Sequence, residues 1–88
     1  MVIKTEKLKK ALLAKGFFSR EGDHTYFYLK HNSKIYTKIS HGAKEYGDAL
    51  LSKIKNQLKF NSLDELKSFS ECTLKEKDYI EILKDKEL

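Results

Sequence analysis

Three histidines, His24, His31 and His41, are the side chains of this sequence best suited to proton transfer. Histidine titrates near neutral pH, so it can donate or accept a proton without a bound metal. His24 follows Gly22 and Asp23, a pair typical of a turn, where an alternating segment begins. A strand start would give the imidazole a rigid mount beside an accessible turn. His24 is therefore the candidate general acid–base for RNA cleavage through 2′-hydroxyl attack on the adjacent phosphodiester; the alternative is a surface histidine.

A second group of candidate residues precedes the predicted second helix and is suited to binding phosphate. It comprises Ser40, His41, Gly42 and Lys44. The N-terminus of a helix attracts phosphate, because its first N–H groups lack partners and the helix dipole is positive there. Lys38, on the strand before this segment, could offset charge on the phosphate. The alternative is an ordinary capping loop.

The sequence carries no recognised motif for a metal, a nucleotide or a covalent intermediate. It lacks the P-loop, the dinucleotide-binding glycine pattern, the zinc-protease helix motif and the nucleophile elbow. Cys72 and three scattered histidines do not have the spacing of a zinc site. We therefore expect neither a metal nor a cofactor.

Charge is distributed unevenly along the 88 residues, which hold 18 Lys and Arg against 13 Asp and Glu for a net charge of +5. Residues 1–60 hold 13 basic and 5 acidic side chains, whereas residues 61–88 hold 5 and 8. A basic segment favours anionic partners, with RNA or DNA first. A polyanion should therefore bind the first sixty residues.

Apolar residues do not form a run long enough to cross a membrane. The longest, residues 11–14, is far below the roughly 18 residues that a bilayer requires. The first residues also lack the apolar stretch typical of a signal peptide. A single cysteine cannot form an internal disulfide, so we expect a reduced, cytoplasmic protein without a membrane partner.

Apolar spacing and turn residues predict the order helix–strand–strand–strand–helix, followed by two short helices. The first helix should be capped by Thr5 and end at Gly16. Capping boxes at residues 62–65 and 73–76 predict the starts of the last two helices. The predicted strands cover 17–20, 24–30 and 35–40, and the later helices cover 47–59, 63–70 and 74–84. The second helix should bury Leu50, Leu51, Ile54 and Leu58.

This order predicts an α+β domain in which two helices cover one face of a three-stranded antiparallel sheet. The covered face would carry Phe27, Leu29, Ile35 and Ile39, and the other face His24, Tyr26, Tyr28, Lys30, Tyr36 and Lys38. The last two helices or a partner could cover that second face. Its tyrosines could stack on bases, but a protein interface is favoured, because tyrosine is enriched there.

Several short motifs follow one another over residues 4–60 in a characteristic order. They include Lys15-Gly16-Phe17, Gly22-Asp23-His24, Ser40-His41-Gly42 and Gly47-Asp48-Ala49-Leu50-Leu51. Their order and spacing resemble the HicA family of type II toxin–antitoxin toxins. The remaining third, with Cys72-Thr73-Leu74 and residues 79–83, resembles a tail found on one HicA-like subgroup.

The resemblance implies a fold like the double-stranded-RNA-binding domain and an mRNA interferase that needs no metal. It also implies inhibition by a HicB-like antitoxin. The family's catalytic histidine matches His24, and Asp23 stands where the family usually has serine. Residues 1–60 would form the toxin body, and the acidic residues 61–88 a helical extension packed on the same domain: a lid over the sheet, a homodimer contact or a rim near the antitoxin. The other functions considered are a non-catalytic RNA-binding module and a protein-interaction domain that uses the tyrosine-rich face.

Overall fold

The computed structural model describes residues 1–40, 42–71 and 73–88, and these form five strands and four helices. In chain order the elements are β1 (Ile3–Lys4), α1 (Thr5–Ala14), β2 (Phe17–Glu21), β3 (Thr25–Leu29), β4 (Tyr36–Ile39), β5 (Glu45–Tyr46), α2 (Asp48–Gln57), α3 (Leu63–Ser70) and α4 (Glu76–Asp85). No helix within the described ranges is long and apolar enough to span a membrane.

The main sheet consists of β2, β3 and β4 in chain order, and both pairs of neighbours are antiparallel. This confirms the predicted α+β class and the three-stranded antiparallel sheet. A second, two-stranded ladder pairs β1 with β5, with Ile3 opposite Tyr46. The sequence pattern does not predict this ladder and indicates a loop over residues 40–46, because two-residue strands are too short to show alternation.

The covered face of the sheet is buried as predicted. Its apolar residues are Phe27, Leu29, Ile35 and Ile39, and they belong to one core with residues of α1 and α2. Helix α2 buries Leu51, Ile54 and Leu58, but Leu50 is 47 % exposed, so its predicted burial is wrong. Leu51, Ile54 and Leu58 form the apolar stripe, and Leu50 lies about 100° away from Leu51 around the helix.

Helices α3 and α4 complete the same core from the helical side of the sheet. Phe69 and Tyr79 are fully buried, and their rings contact Phe17 and Phe60 with centroid distances of 5.0 to 6.3 Å. The Tyr79 hydroxyl donates a hydrogen bond of 2.7 Å to the carbonyl of Leu58. Burial raises the pKa of Tyr79 well above its usual value. The outer face of the sheet therefore carries neither of these helices.

The helix ends agree with the sequence prediction in two places. Gly16 follows α1 with a φ of +92°, a conformation that glycine adopts without strain. The Ser62 hydroxyl accepts a hydrogen bond from the Glu65 N–H, as a capping residue should.

Two predicted caps are wrong. Thr5 is the first residue of α1, and its hydroxyl donates to the carbonyls of Ala43 and Lys44, because β1 leads directly into the helix. At the start of α4 the Asp78 carboxylate accepts from the Lys75 N–H, whereas the Thr73 hydroxyl donates back to α3.

Candidate functional site

His24 lies in the turn between β2 and β3, one residue before the first residue of β3. The turn is closed by a hydrogen bond of 3.0 Å from the Gly22 N–H to the His24 carbonyl. Asp23 is exposed, whereas His24 is half-buried. The His24 backbone therefore closes the turn before β3, and the strand begins one residue later than the sequence predicted.

One ring nitrogen of His24 has an unusual environment. Its Nδ1 atom is buried and has no hydrogen-bond partner among the described residues. Buried polar groups are usually hydrogen-bonded, and an exception is explained by strain, a catalytic role, or a bound water or ion. Because His24 as a whole is only half-buried, its solvent-exposed atoms are atoms other than Nδ1.

The strand register brings two of the predicted phosphate-binding residues to the same end of the sheet. Thr25 pairs with Ile39 and Tyr26 pairs with Lys38. The pairing ends at Thr25 and Ile39, so His24 precedes the paired part of β3 and Ser40 follows that of β4. Lys38 and Ser40 therefore lie at the end of the sheet where the turn that holds His24 leads into β3.

Lys38 and Ser40 also line a cleft between β4 and α2, with a volume of about 110 Å³. The remaining lining residues are Tyr46, Leu50, Lys53, Ile54 and Gln57. The Ser40 N–H donates to the Tyr46 hydroxyl at 2.8 Å, which fixes this end of β4. None of the described lining residues is acidic and two are lysines, so the cleft is suited to an anion such as a phosphate.

Of the other predicted phosphate-binding residues, Gly42 and Lys44 do not line this cleft. Lys44 is exposed and is not among the lining residues, and its carbonyl accepts hydrogen bonds from the N–H and hydroxyl of Thr5. His41 lies outside the described residues. Strand β5 separates the 42–44 segment from α2, so this segment does not lead directly into the helix.

Lys53 and Gln57 also line the cleft, although the sequence did not predict them as site residues. With Leu50 and Ile54 they occupy positions i, i+3, i+4 and i+7 of α2, which is one face of a helix. Gln57 also accepts a hydrogen bond of 2.7 Å from the buried hydroxyl of Thr37 in β4. The spacing shows that these four residues share one face of the helix, but not that this face borders a cleft.

The described residues contain no group of three or more His, Cys, Asp or Glu side chains arranged to hold a metal ion. Comparison of the chain with protein-family models, curated proteins and solved structures gives no match. Function is therefore inferred from the residues of this chain, their order and their geometry.

Proposed function

We propose that this protein is a metal-independent endoribonuclease of the HicA type, with His24 as its general acid–base. The observation that carries the proposal is the position of His24 in the turn that leads into β3, at the same end of the sheet as Lys38 of the neighbouring strand β4. A positioned proton-transfer group and a cation near the phosphate are the two kinds of group that would assist RNA cleavage without a metal.

The proposed reaction uses the RNA's own 2′-hydroxyl as the nucleophile. Its oxygen attacks the adjacent phosphorus, and His24 accepts the proton that it loses. The bond from phosphorus to the 5′-oxygen breaks, and that oxygen takes a proton from the protonated His24 and leaves as a 5′-hydroxyl. The other product is a 2′,3′-cyclic phosphate, and Lys38 and Lys53 stabilise the negative charge on the phosphoryl oxygens.

The order of elements supports a fold of the double-stranded-RNA-binding type for the first sixty residues. In this proposal α1, β2, β3, β4 and α2 form the toxin body, and the helices cover one face of the sheet. The substrate would be mRNA and the inhibitor a HicB-like antitoxin protein. These assignments extend the sequence resemblance, and the basic charge of residues 1–60 is in keeping with an RNA substrate.

The test is cleavage of a mixed-sequence RNA in the presence of EDTA by the wild type, His24→Ala and His31→Ala. General acid–base catalysis contributes roughly 10²- to 10⁴-fold, so we expect His24→Ala to lose activity by that factor. His31 is an exposed histidine in the β3–β4 connection and serves as the matched control.

Equal activity of the wild type and His24→Ala would remove His24 from the mechanism. Activity of the wild type that EDTA abolishes would contradict a metal-independent reaction. Urea unfolding of each variant separates loss of chemistry from loss of folding.

A further inference from the structure

The outer face of the sheet has a composition that core packing does not explain. Its six outward strand positions hold four aromatic rings and two cations. Phe18, Tyr28 and Tyr36 form one cross-strand row, and Arg20, Tyr26 and Lys38 form the next. We call these six residues the aromatic surface.

The first row is a continuous line of rings across all three strands. The ring centroids of Phe18 and Tyr28 are 5.6 Å apart, and those of Tyr28 and Tyr36 are 5.5 Å apart. Both pairs are stacked, with interplanar angles of 25° and 28°. Tyr36, at the end of this row, is 46 % exposed, so neither α3 nor α4 covers it.

The charges of the aromatic surface point to an anionic ligand. Within residues 17–40, all of which are described, no Asp or Glu occupies an outward strand position. Glu21, the one strand carboxylate, pairs with Thr25 on the other face and accepts a hydrogen bond from its hydroxyl. Cations beside aromatic rings are the combination that single-stranded nucleic acids use, because bases stack on rings while cations meet phosphates.

The aromatic surface also contains a depression next to its first row. Phe18, Arg20, Tyr28 and Ser33 line this depression, which has a volume of about 390 Å³. Two rings, a guanidinium and a hydroxyl are groups that contact the face and the edge of an unpaired base.

The aromatic surface is continuous with the candidate catalytic end of the sheet. Lys38 belongs to this surface and also lines the cleft with Ser40. A Cβ atom on Gly22 would lie 3.6 Å from the Tyr26 ring, so this ring borders the turn that holds His24. A nucleic-acid strand that crosses the rings would therefore reach the proposed site of cleavage.

We infer that the aromatic surface binds unpaired bases of single-stranded RNA, with Arg20 and Lys38 contacting its phosphates. This inference rests on the proposed function for its choice of RNA, and it names the substrate class as single-stranded. In a duplex the faces of the bases are already stacked on one another, so only an unpaired strand can offer them to the rings.

The experiment measures binding, not cleavage, so that the two proposals can fail separately. A short labelled RNA of mixed sequence is titrated with His24→Ala protein at low salt, as a single strand and as a duplex, and fluorescence anisotropy is recorded. Tyr36→Ala in this background should weaken single-strand binding by roughly 5- to 100-fold, because one stacking ring is lost. Tyr36→Phe keeps the ring and should stay within about twofold.

A charge variant tests the phosphate contacts. Arg20→Gln should reduce the slope of log affinity against log salt by about 1, because one fewer counterion is released. Lys84→Gln, an exposed lysine on α4 in the acidic segment, is the matched control and should leave that slope unchanged.

Three results would overturn the inference. The first is duplex binding as tight as single-strand binding. The second is unchanged affinity in Tyr36→Ala, which would leave the proposed function intact if His24 were still required for cleavage. The third is a shift of oligomeric state in Tyr36→Ala without a change in RNA affinity, which would make the surface a contact between protein chains. Single-strand binding that depends on Tyr36, in a protein that does not cleave RNA, would retain the inference and remove the proposed nuclease.

Discussion

The molecule holds two clusters of four aromatic rings, one on each face of the sheet. The neighbouring residues Phe17 and Phe18 belong to different clusters. The buried cluster consists of Phe17, Phe60, Phe69 and Tyr79. The surface cluster consists of Phe18, Tyr26, Tyr28 and Tyr36. Ring separations are alike in the two clusters, so the difference between them lies in what surrounds the rings.

The buried cluster joins the two parts of the chain that differ in charge. Phe17 and Phe60 come from the basic residues 1–60, whereas Phe69 and Tyr79 come from the acidic residues 61–88. Ring contacts connect the two parts there, together with the Lys15 ammonium, which donates a hydrogen bond to the Phe69 carbonyl and lies over the Phe69 ring. The surface cluster lies entirely within residues 17–40 and leaves Tyr36 largely accessible. The first cluster thus contributes to folding, and the second is available to a ligand.

The largest expected difference between the clusters is in stability. Phe69→Ala should lower the free energy of unfolding by about 3–5 kcal/mol, because it leaves a cavity among fully buried rings. It also removes the ring that lies 4.5 Å from the Lys15 ammonium. Tyr36→Ala should cost only about 0.2–1 kcal/mol, the range for a cross-strand pair. Urea unfolding followed by circular dichroism measures both.

Comparable losses in these two variants would contradict the division into a buried and a surface cluster. A small loss for Phe69→Ala would mean that α3 can detach without unfolding the sheet. The urea midpoint and the slope of the transition distinguish these cases, because partial unfolding exposes less surface and lowers the slope.

Alternation along the strands was enough to predict which rings face inward and which outward. Tyr26 and Tyr28 are outward and Phe27 is buried, as the period of two requires. The sequence could not indicate how α3 and α4 pack, because an amphipathic helix reveals its apolar face but not its partner. Tyr36 stays accessible because α3 and α4 pack on the other, helical side of the sheet.

The candidate site was predictable only where it depended on strand position. Lys38 and the turn that holds His24 lie at the same end of the sheet because β3 and β4 are adjacent and antiparallel. Lys53 was missed because it reaches the cleft from a helix distant in sequence. Residues 40–46 are predicted as a loop that leads into the second helix, whereas residues 45–46 form β5. The sequence does not indicate this strand, because its pairing with β1 joins residues distant in sequence.

The connection between α1 and β2, which leads into the buried Phe17, depends on Gly16. Gly16→Ala should destabilise the protein by about 1–2 kcal/mol, because its φ of +92° is unfavourable for a residue with a Cβ atom. The new Cβ would also lie 2.9 Å from the Glu76 carboxylate, although that flexible side chain can move.

Gly42→Ala is the matched control for this change. A Cβ atom there meets nothing within 4 Å, so the free energy of unfolding should stay within about 0.5 kcal/mol of the wild type. RNA binding through the aromatic surface should be unaffected in Gly16→Ala, since Phe18 stays on the other face. A loss of binding that matches the loss of stability would mean that the two faces are coupled.

The smallest expected effect comes from one hydroxyl of the buried cluster. Tyr79→Phe keeps the ring stacked on Phe17, at a centroid distance of 5.9 Å, and removes the hydrogen bond to the Leu58 carbonyl. We expect a loss of about 0.5–1.5 kcal/mol at pH 7. Tyr36→Phe removes an accessible hydroxyl and should leave stability within about 0.5 kcal/mol of the wild type.

The pH dependence of the same variant separates the buried hydroxyl from an accessible one. Burial raises the pKa of Tyr79 above its model-peptide value of 10.0, so above pH 10 the unfolded chain loses this proton while the folded chain keeps it. The folded state then binds more protons than the unfolded state, and stability falls as pH rises, by up to about 1.4 kcal/mol per unit for one proton. Tyr79→Phe lacks this loss but shares every lysine titration with the wild type. The two curves of unfolding free energy against pH should therefore run parallel from pH 7 to about 9 and converge above pH 10. Curves that stay parallel above pH 10 would show that the Tyr79 hydroxyl ionises as readily in the folded chain as in the unfolded one, and the buried cluster would then be open to water like the surface cluster.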